Sequence, residues 1–182
     1  MLIIIQSHIL SYPSSNNIYY LWNIGFILIL LLVTQILTGI LLSCNYISDI
    51  QNAYSSVMYI NRDIYIGWYF HYTHSSIVSV FMLLIYIHIG RALYYNSFKL
   101  NNTLDVSSIV ILWVLIVIAF MGYVLTWGQI SFWGVTVIKN ILSSVPCLIE
   151  WLCGSFYVCN PTLLRFFILH FILPFSILGT SC

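Results

Sequence analysis

Charge is almost missing from this chain. Five basic (Lys, Arg) and four acidic side chains stand among 182 residues, about 5%, where an average soluble domain of that length carries roughly 45. A water-soluble globular domain is excluded, because its surface needs polar groups. Disorder is excluded as well, since 62% of the residues are hydrophobic and disordered chains need low hydrophobicity. There is no basic cluster and the formal net charge is +1, which argues against a nucleic-acid partner. Paired cysteine motifs are also absent. Cys44, Cys147, Cys153, Cys159 and Cys182 form no C-x-x-C and no C-x-x-C-H, so a zinc ribbon and covalent haem attachment fall away and the cysteines read as small hydrophobic residues. The first 21 residues lack Lys and Arg and are interrupted by the polar stretch Ser11 to Asn17. They read as an interfacial segment, with Tyr19, Tyr20 and Trp22 at a membrane boundary, and not as a signal peptide.

The gaps between the charges define the architecture. No Asp, Glu, Lys or Arg precedes Asp49, and none lies between Asp63 and Arg91, between Asp105 and Lys139, or after Arg165. About 20 apolar residues in a helix cross the hydrocarbon of a bilayer. The expectation is an all-α membrane protein, a four-helix transmembrane bundle with spans at about 22–44, 72–94, 107–126 and 163–182. Connections then run over 45–71, 95–106 and 127–162. Helices follow because lipid offers the backbone no hydrogen-bond partner. A barrel strand would alternate, and Ile27–Val33 does not. Arg62, Arg91, Lys99, Lys139 and Arg165 lie near several boundaries and set no orientation. In the last connection, aromatic and aliphatic residues recur at helical spacing from Ser131 to Leu142. A short interfacial helix at about 131–142 is expected there, capped by Ser131.

Histidine is the informative residue type. Of His8, His71, His74, His88 and His170, three lie inside or near spans, where ionisable groups are costly and usually functional. His74 and His88 are 14 residues apart on the second span. That is close to four turns, so they share a face, about 21 Å apart along the axis. Gly25 and Gly39 on the first span have the same separation, as do Ser108 and Gly122 on the third. Each feature also has a plain structural reading: a histidine bonded inside the bundle, or a small residue at a helix contact. The shared pitch favours two flat prosthetic groups, stacked across the membrane between four helices. His170 on the fourth span is placed to supply the opposite axial ligand to one of the second-span pair. Two neutral imidazoles on one iron make a six-coordinate b-type haem suited to electron transfer. The same pitch would put a further histidine at position 184.

These residues lead to a family. Gly122-Tyr-Val-Leu-Thr-Trp-Gly-Gln-Ile-Ser-Phe-Trp-Gly-Val-Thr-Val-Ile138 closely resembles the third-span exit and first interfacial helix of cytochrome b, the haem-bearing subunit of respiratory cytochrome bc complexes. Trp22-Asn-Ile-Gly25 and Gln35-Ile-Leu-Thr-Gly39 resemble its first helix, and His88-Ile-Gly-Arg-Ala-Leu-Tyr-Tyr95 the end of its second. Asn140-Ile-Leu-Ser-Ser-Val-Pro146 and Arg165-Phe-Phe-Ile-Leu-His-Phe-Ile-Leu-Pro174 resemble the following loop and the fourth helix. The resemblance covers essentially the whole chain and is closer to mitochondrial members than to plastid ones.

The resemblance implies roles residue by residue. His74 and His170 would ligate the low-potential haem and His88 the high-potential haem. Gly39 and Gly122 would make room for the first haem and Gly25 for the second, with Ser108 as the small residue of the remaining layer position. Arg91 and Arg165 would lie near haem propionates. Phe120, Tyr123, Gly134, Val137 and Ile138 would form one wall of a quinol-oxidation pocket, and Trp22 and Asn23 would fall near a quinone-reduction pocket. The implied cofactors are two b-type haems, with ubiquinol and ubiquinone as substrates. The implied partners are iron–sulfur and cytochrome c1-type subunits, in the mitochondrial inner membrane. The implied activity is electron transfer from quinol through both haems to quinone, coupled to proton translocation, as part of ubiquinol–cytochrome c reductase.

Three departures qualify that picture. Thr126 stands where the family usually has Pro, and is expected to continue the helix that Pro would bend. His71 stands where the family usually has Arg, so a propionate would lose a permanent counter-charge. A full mitochondrial member is about twice as long and has eight spans. The chain is therefore expected to act with a separate carboxy-terminal cytochrome b chain, and not alone. The alternatives are a truncated, non-catalytic fragment or another bis-histidine di-haem membrane cytochrome.

Overall fold

The computed structural model describes Gln6 and residues 18–99, 102–155 and 157–181. Most of the leading segment, with His8, and Cys182 lie outside the described residues. A 3-10 turn (Tyr20–Asn23) leads into α1 (Ile24–Ser43). It is followed by α2 (Ala53–Arg62), α3 (Gly67–Tyr94), α4 (Asn102–Val124), α5 (Gln129–Ile141), α6 (Pro146–Cys153) and α7 (Asn160–Ser181). Four stretches, Tyr20–Ser43, Gly67–Tyr94, Val106–Val124 and Asn160–Gly179, are long and apolar enough to cross a membrane. They are apolar all round, as membrane helices are, so large side chains such as Phe26, Leu37, Leu83, Trp113 and Ile172 are exposed on the outside of the bundle.

α1 packs on α3, α4 packs on α7, and α1 also meets α7. Their shared core is built from Leu32, Phe81, Ile85, Leu115, Ile118 and Ile177. Four of these sit halfway along the 14-residue pitch. Leu32 lies seven residues from both Gly25 and Gly39, Phe81 seven from both His74 and His88, and Leu115 seven from both Ser108 and Gly122. Ile177 lies seven beyond His170. Seven residues rise about 10.5 Å, so an apolar plug fills the middle of the bundle and the small and histidine layers lie to either side. A second cluster, Met121, Val124, Val135 and Phe166, seats α5 against α4 and α7.

Several boundaries differ from the sequence reading. α3 starts at Gly67, five residues before position 72. Gly67 has no side chain to hold α3 away from the Ile60 carbonyl at the end of α2, and Ile66, in the left-handed region at φ 59°, turns the chain into the helix. α4 runs from 102 and stops at Val124. Thr126 does not continue it. Its hydroxyl donates to the Tyr123 carbonyl at 3.0 Å, and Trp127 takes φ 47°. α5 opens two residues before Ser131, on extended Gly128 (φ −80°, ψ 176°). Ser131 is therefore buried in the first turn, donating to the Gly128 carbonyl at 2.9 Å, and does not cap the helix. α7 starts at Asn160, three residues before position 163.

Two stretches read as connections are helical. α2 buries Ala53, Ser56 and Ile60, one stripe at helical spacing. α6 opens on Pro146, whose fixed φ suits the first turn, and closes on left-handed Gly154 (φ 71°). Replacing Gly67 by alanine is expected to destabilise the bundle by about 1–3 kcal/mol through overpacking, because the new methyl would meet the Ile60 carbonyl and the Ile64 side chain. Thermal unfolding of the detergent-solubilised protein, followed by circular dichroism, checks this; an unchanged midpoint would count against it.

Candidate functional site

At one level of the bundle, His74 on α3 and His170 on α7 face each other. Their ring centres are 6.3 Å apart and the ring planes are inclined at 76°. Each ring lies against a glycine of a neighbouring helix. A Cβ on Gly39 would stand 3.1 Å from His74 Cε1, and one on Gly122 would stand 2.5 Å from His170 Cε1. The two rings open into a cavity of about 390 Å³, lined also by Gln35, Tyr46, His71, Phe81, Tyr123 and Pro174, within the usual range for ligand cavities.

Both rings are held from behind. His170 Nδ1 donates to the Ile118 carbonyl at 2.9 Å. His74 Nδ1 lies 2.9 Å from Thr38 Oγ1, and Gln35 Nε2 donates to the His74 carbonyl at 2.9 Å. With Nδ1 occupied on each ring, Nε2 is the nitrogen left for the cavity. Pro174, four residues after His170 in α7, has no N–H for the His170 carbonyl. At the rim, Tyr46 donates to the Leu125 carbonyl at 2.7 Å and its ring packs 5.4 Å from Phe167. Burial pushes the Tyr46 phenol up, so it stays protonated.

A metal between two imidazole nitrogens, at about 2 Å from each, with about 1 Å more from each nitrogen to its ring centre, separates the ring centres by about 6 Å. The His74–His170 spacing, the glycine cradles and the apolar cavity walls fit a flat, metal-centred group such as haem.

The other level is built from different parts. A Cβ on Gly25 would stand 3.5 Å from His88 Cε1, and the buried His88 Nδ1 has no hydrogen-bond partner. The other described histidines, His71, His74 and His170, line the first cavity. Arg91, one turn beyond His88, lays its guanidinium 3.7 Å over the Trp22 ring, while its buried Nε is unpartnered. Gly25, Trp22, His88 and Arg91 thus come together at this end. Asn23 lies in the same turn, exposed at the head of α1.

The remaining expected residues spread further. Phe120 packs edge-on against Phe166 at 6.3 Å. Gly134 on α5 faces the Tyr123 ring, which a Cβ on that glycine would meet at 4.0 Å. Val137 is exposed and Ile138 half-buried, and of these five only Tyr123 also lines the cavity. Ser108 is exposed on α4. Arg165, expected beside the first haem, turns to α6 instead. Its guanidinium lies against Gly154, where a Cβ would stand 2.9 Å from Cζ, and 6.0 Å from the Trp151 ring. It does not line the cavity, and its buried Nη1 is unpartnered. Thr38, Gln35 and Tyr46 were not singled out from the sequence. Thr38 and Gln35 lie inside the Gln35–Gly39 motif, but a lone hydroxyl or amide in an apolar span carries no signal of which ring it meets.

The family model described as Cytochrome b/b6/petB matches residues 9–182. Among relatives, cytochrome b of Plasmodium vivax (strain Salvador I) is 48% identical over 170 residues, covering 93% of this chain and 44% of that protein. Cytochrome b of Plasmodium falciparum is 45% identical over 172 residues, covering 94% and 46%. The chain therefore spans less than half the length of these relatives. A solved structure titled "Hyperthermophilic respiratory Complex III" superposes with a TM-score of 0.89 at 28% identity, covering 99% of this chain and 50% of that one. With a family model matched along nearly its whole length and a four-helix bundle of the same fold, this chain belongs to the cytochrome b family.

Proposed function

We propose that the chain is the amino-terminal, haem-bearing part of a cytochrome b, working in a respiratory quinol–cytochrome c oxidoreductase of the mitochondrial inner membrane. The observation that carries this reading is the His74–His170 pair, 6.3 Å apart over Gly39 and Gly122, inside a bundle of this family. His74 and His170 would hold one b-type haem, and His88 would supply one axial ligand to a second. Such a haem would supply a one-electron iron couple for electron transfer. The protein's own contribution is orientation and exclusion of water. The Ile118 carbonyl and Thr38 hydroxyl set the imidazole tautomers, and the Leu32–Phe81–Leu115–Ile177 plug keeps the space between the two levels dry.

The two faces would serve the two quinone reactions. α5 presents Ile130, Trp133, Val137 and Ile141 outward, an apolar stripe suited to lie in the membrane interface. With Phe120, Tyr123 and Gly134 it would form one wall for quinol oxidation, next to iron–sulfur and cytochrome c1-type subunits. Trp22, Asn23 and Arg91 mark the opposite end, where quinone would be reduced. The second ligand to the His88 haem is to be sought in the rest of the cytochrome b polypeptide, whether continuous with this chain or separate. The purified membrane complex tests the reading. Reduced-minus-oxidised spectra should show two b-type haems, both reducible by ubiquinol, with steady cytochrome c reduction. A complex with one b-type haem and no quinol turnover would overturn it.

A further inference from the structure

The three histidines that face glycines are backed differently: His170 by a main-chain carbonyl, His74 by a side-chain hydroxyl, and His88 by no group among the described residues, its buried Nδ1 unpartnered there. We infer that Thr38 is a positioning residue that orients the His74 imidazole, makes it a stronger electron donor and so lowers the redox potential of an iron held between His74 and His170. The inference rests on the reading that this pair ligates a haem.

The direction of the hydrogen bond follows from counting protons. A hydroxyl has one proton and two lone pairs. Thr38 Oγ1 lies 2.8 Å from the Thr34 carbonyl and 3.2 Å from the Gln35 carbonyl, and both can only accept. Its proton therefore goes to the α1 main chain. What it turns to His74 Nδ1, at 2.9 Å, is a lone pair. Nδ1 carries the ring proton and donates, which leaves Nε2 bare for a metal. Thr38 is 6% exposed and lies in a membrane-spanning helix, so no water replaces it. Gln35 holds the His74 main chain through its carbonyl and its own main chain also meets the His74 ring, while Thr38 Oγ1 is the side-chain partner of Nδ1.

A ligand imidazole that donates its second N–H to an oxygen is more basic, and these outer bonds tune the metal. A more basic ligand favours ferric over ferrous iron, so the potential falls. Both rings of the first level have such a bond, whereas His88 has none among the described residues. The Ile118 carbonyl is main chain, so Thr38 is the member of the set that substitution can remove.

The test is a potentiometric titration, with reduced-minus-oxidised spectra, of the intact membrane complex carrying Thr38→Val, Thr38→Ala or Thr38→Ser. Loss of such outer bonds typically weakens metal binding 10–100-fold. If the ferric form loses about tenfold more than the ferrous form, the midpoint rises by about 59 mV for one electron. Val and Ala should both show this rise, Ser should stay at the wild-type value, and the other haem should not move. Wild-type potentials in Val and Ala, or a shift in Ser as large as in Val, would overturn the inference. If Val and Ala fail to load haem while Ser loads it, the hydroxyl is required and the inference stands. If Ser fails as well, packing and not the hydroxyl is at work, and it falls. A wild-type complex without a bis-imidazole haem spectrum would instead remove the functional reading, and this inference with it.

Discussion

Replacing His170 by alanine is expected to remove one of two b-type haem signals and leave the other. The same holds for His74. These rings face each other at 6.3 Å, so loss of either leaves a metal with one protein ligand and an open axial position. Among the described residues His71 is the one other imidazole in the lining, three residues before His74 on the same helix. Gly39 and Gly122 present no side chain, and the lining around the rings is mostly aliphatic and aromatic. The loss should also be felt in stability. A ligand present at a thousand times its dissociation constant stabilises the folded state by about 4 kcal/mol, and the empty 390 Å³ cavity would forfeit that. His88→Ala is the control. It lies about 21 Å away along α3 and should remove the other signal while sparing this one. Redox difference spectra of membranes from each variant decide the matter. A normal two-haem spectrum in His74→Ala or His170→Ala would refute the assignment of the pair.

The layered plan of the bundle was legible because it is written in a period. Gly25 and Gly39, His74 and His88, and Ser108 and Gly122 repeat every 14 residues, and a helix converts that count directly into depth and direction. The structure adds what the period implied without naming it: Leu32, Phe81 and Leu115 fill the halfway positions. Apolar residues in a span carry no mark of which ones meet, so the plug could not be read from them singly. The polar contacts were less legible still. Thr38 meets His74 across 36 positions of chain, and only the packing of α1 on α3 brings them together. The contacts of Arg165 were no more legible. Its place in the sequence suggested the haem, but left-handed Gly154 at the end of α6 leaves room for its guanidinium there. α2 and α6 were not legible because the charge gaps that reveal spans say nothing about short helices between them.

The three glycines that face histidines should tolerate alanine in a definite order, with Gly122 the least tolerant. A Cβ there would lie 2.5 Å from His170 Cε1 and 3.1 Å from both ring nitrogens. The ring cannot swing aside freely, because Nδ1 is fastened to the Ile118 carbonyl, one turn back on the same helix as the new methyl. Gly122→Ala must therefore break that bond or part α4 from α7, and loss of the first-level haem is expected. Gly39→Ala is intermediate. Its Cβ would stand 3.1 Å from His74 Cε1, and the ring is tied to the adjacent Thr38. Overpacking of about 1–3 kcal/mol would weaken haem binding there by roughly 5–150-fold. Gly25→Ala should be mild, because 3.5 Å to His88 Cε1 is ordinary contact and the Nδ1 of that ring is bonded to none of the described residues, so it can yield. Haem content per chain, measured in purified complex for each variant, should fall in the order Gly25, Gly39, Gly122. Equal content in all three, or a greater loss at Gly25 than at Gly122, would mean that the glycines serve helix contact and not the space beside the rings.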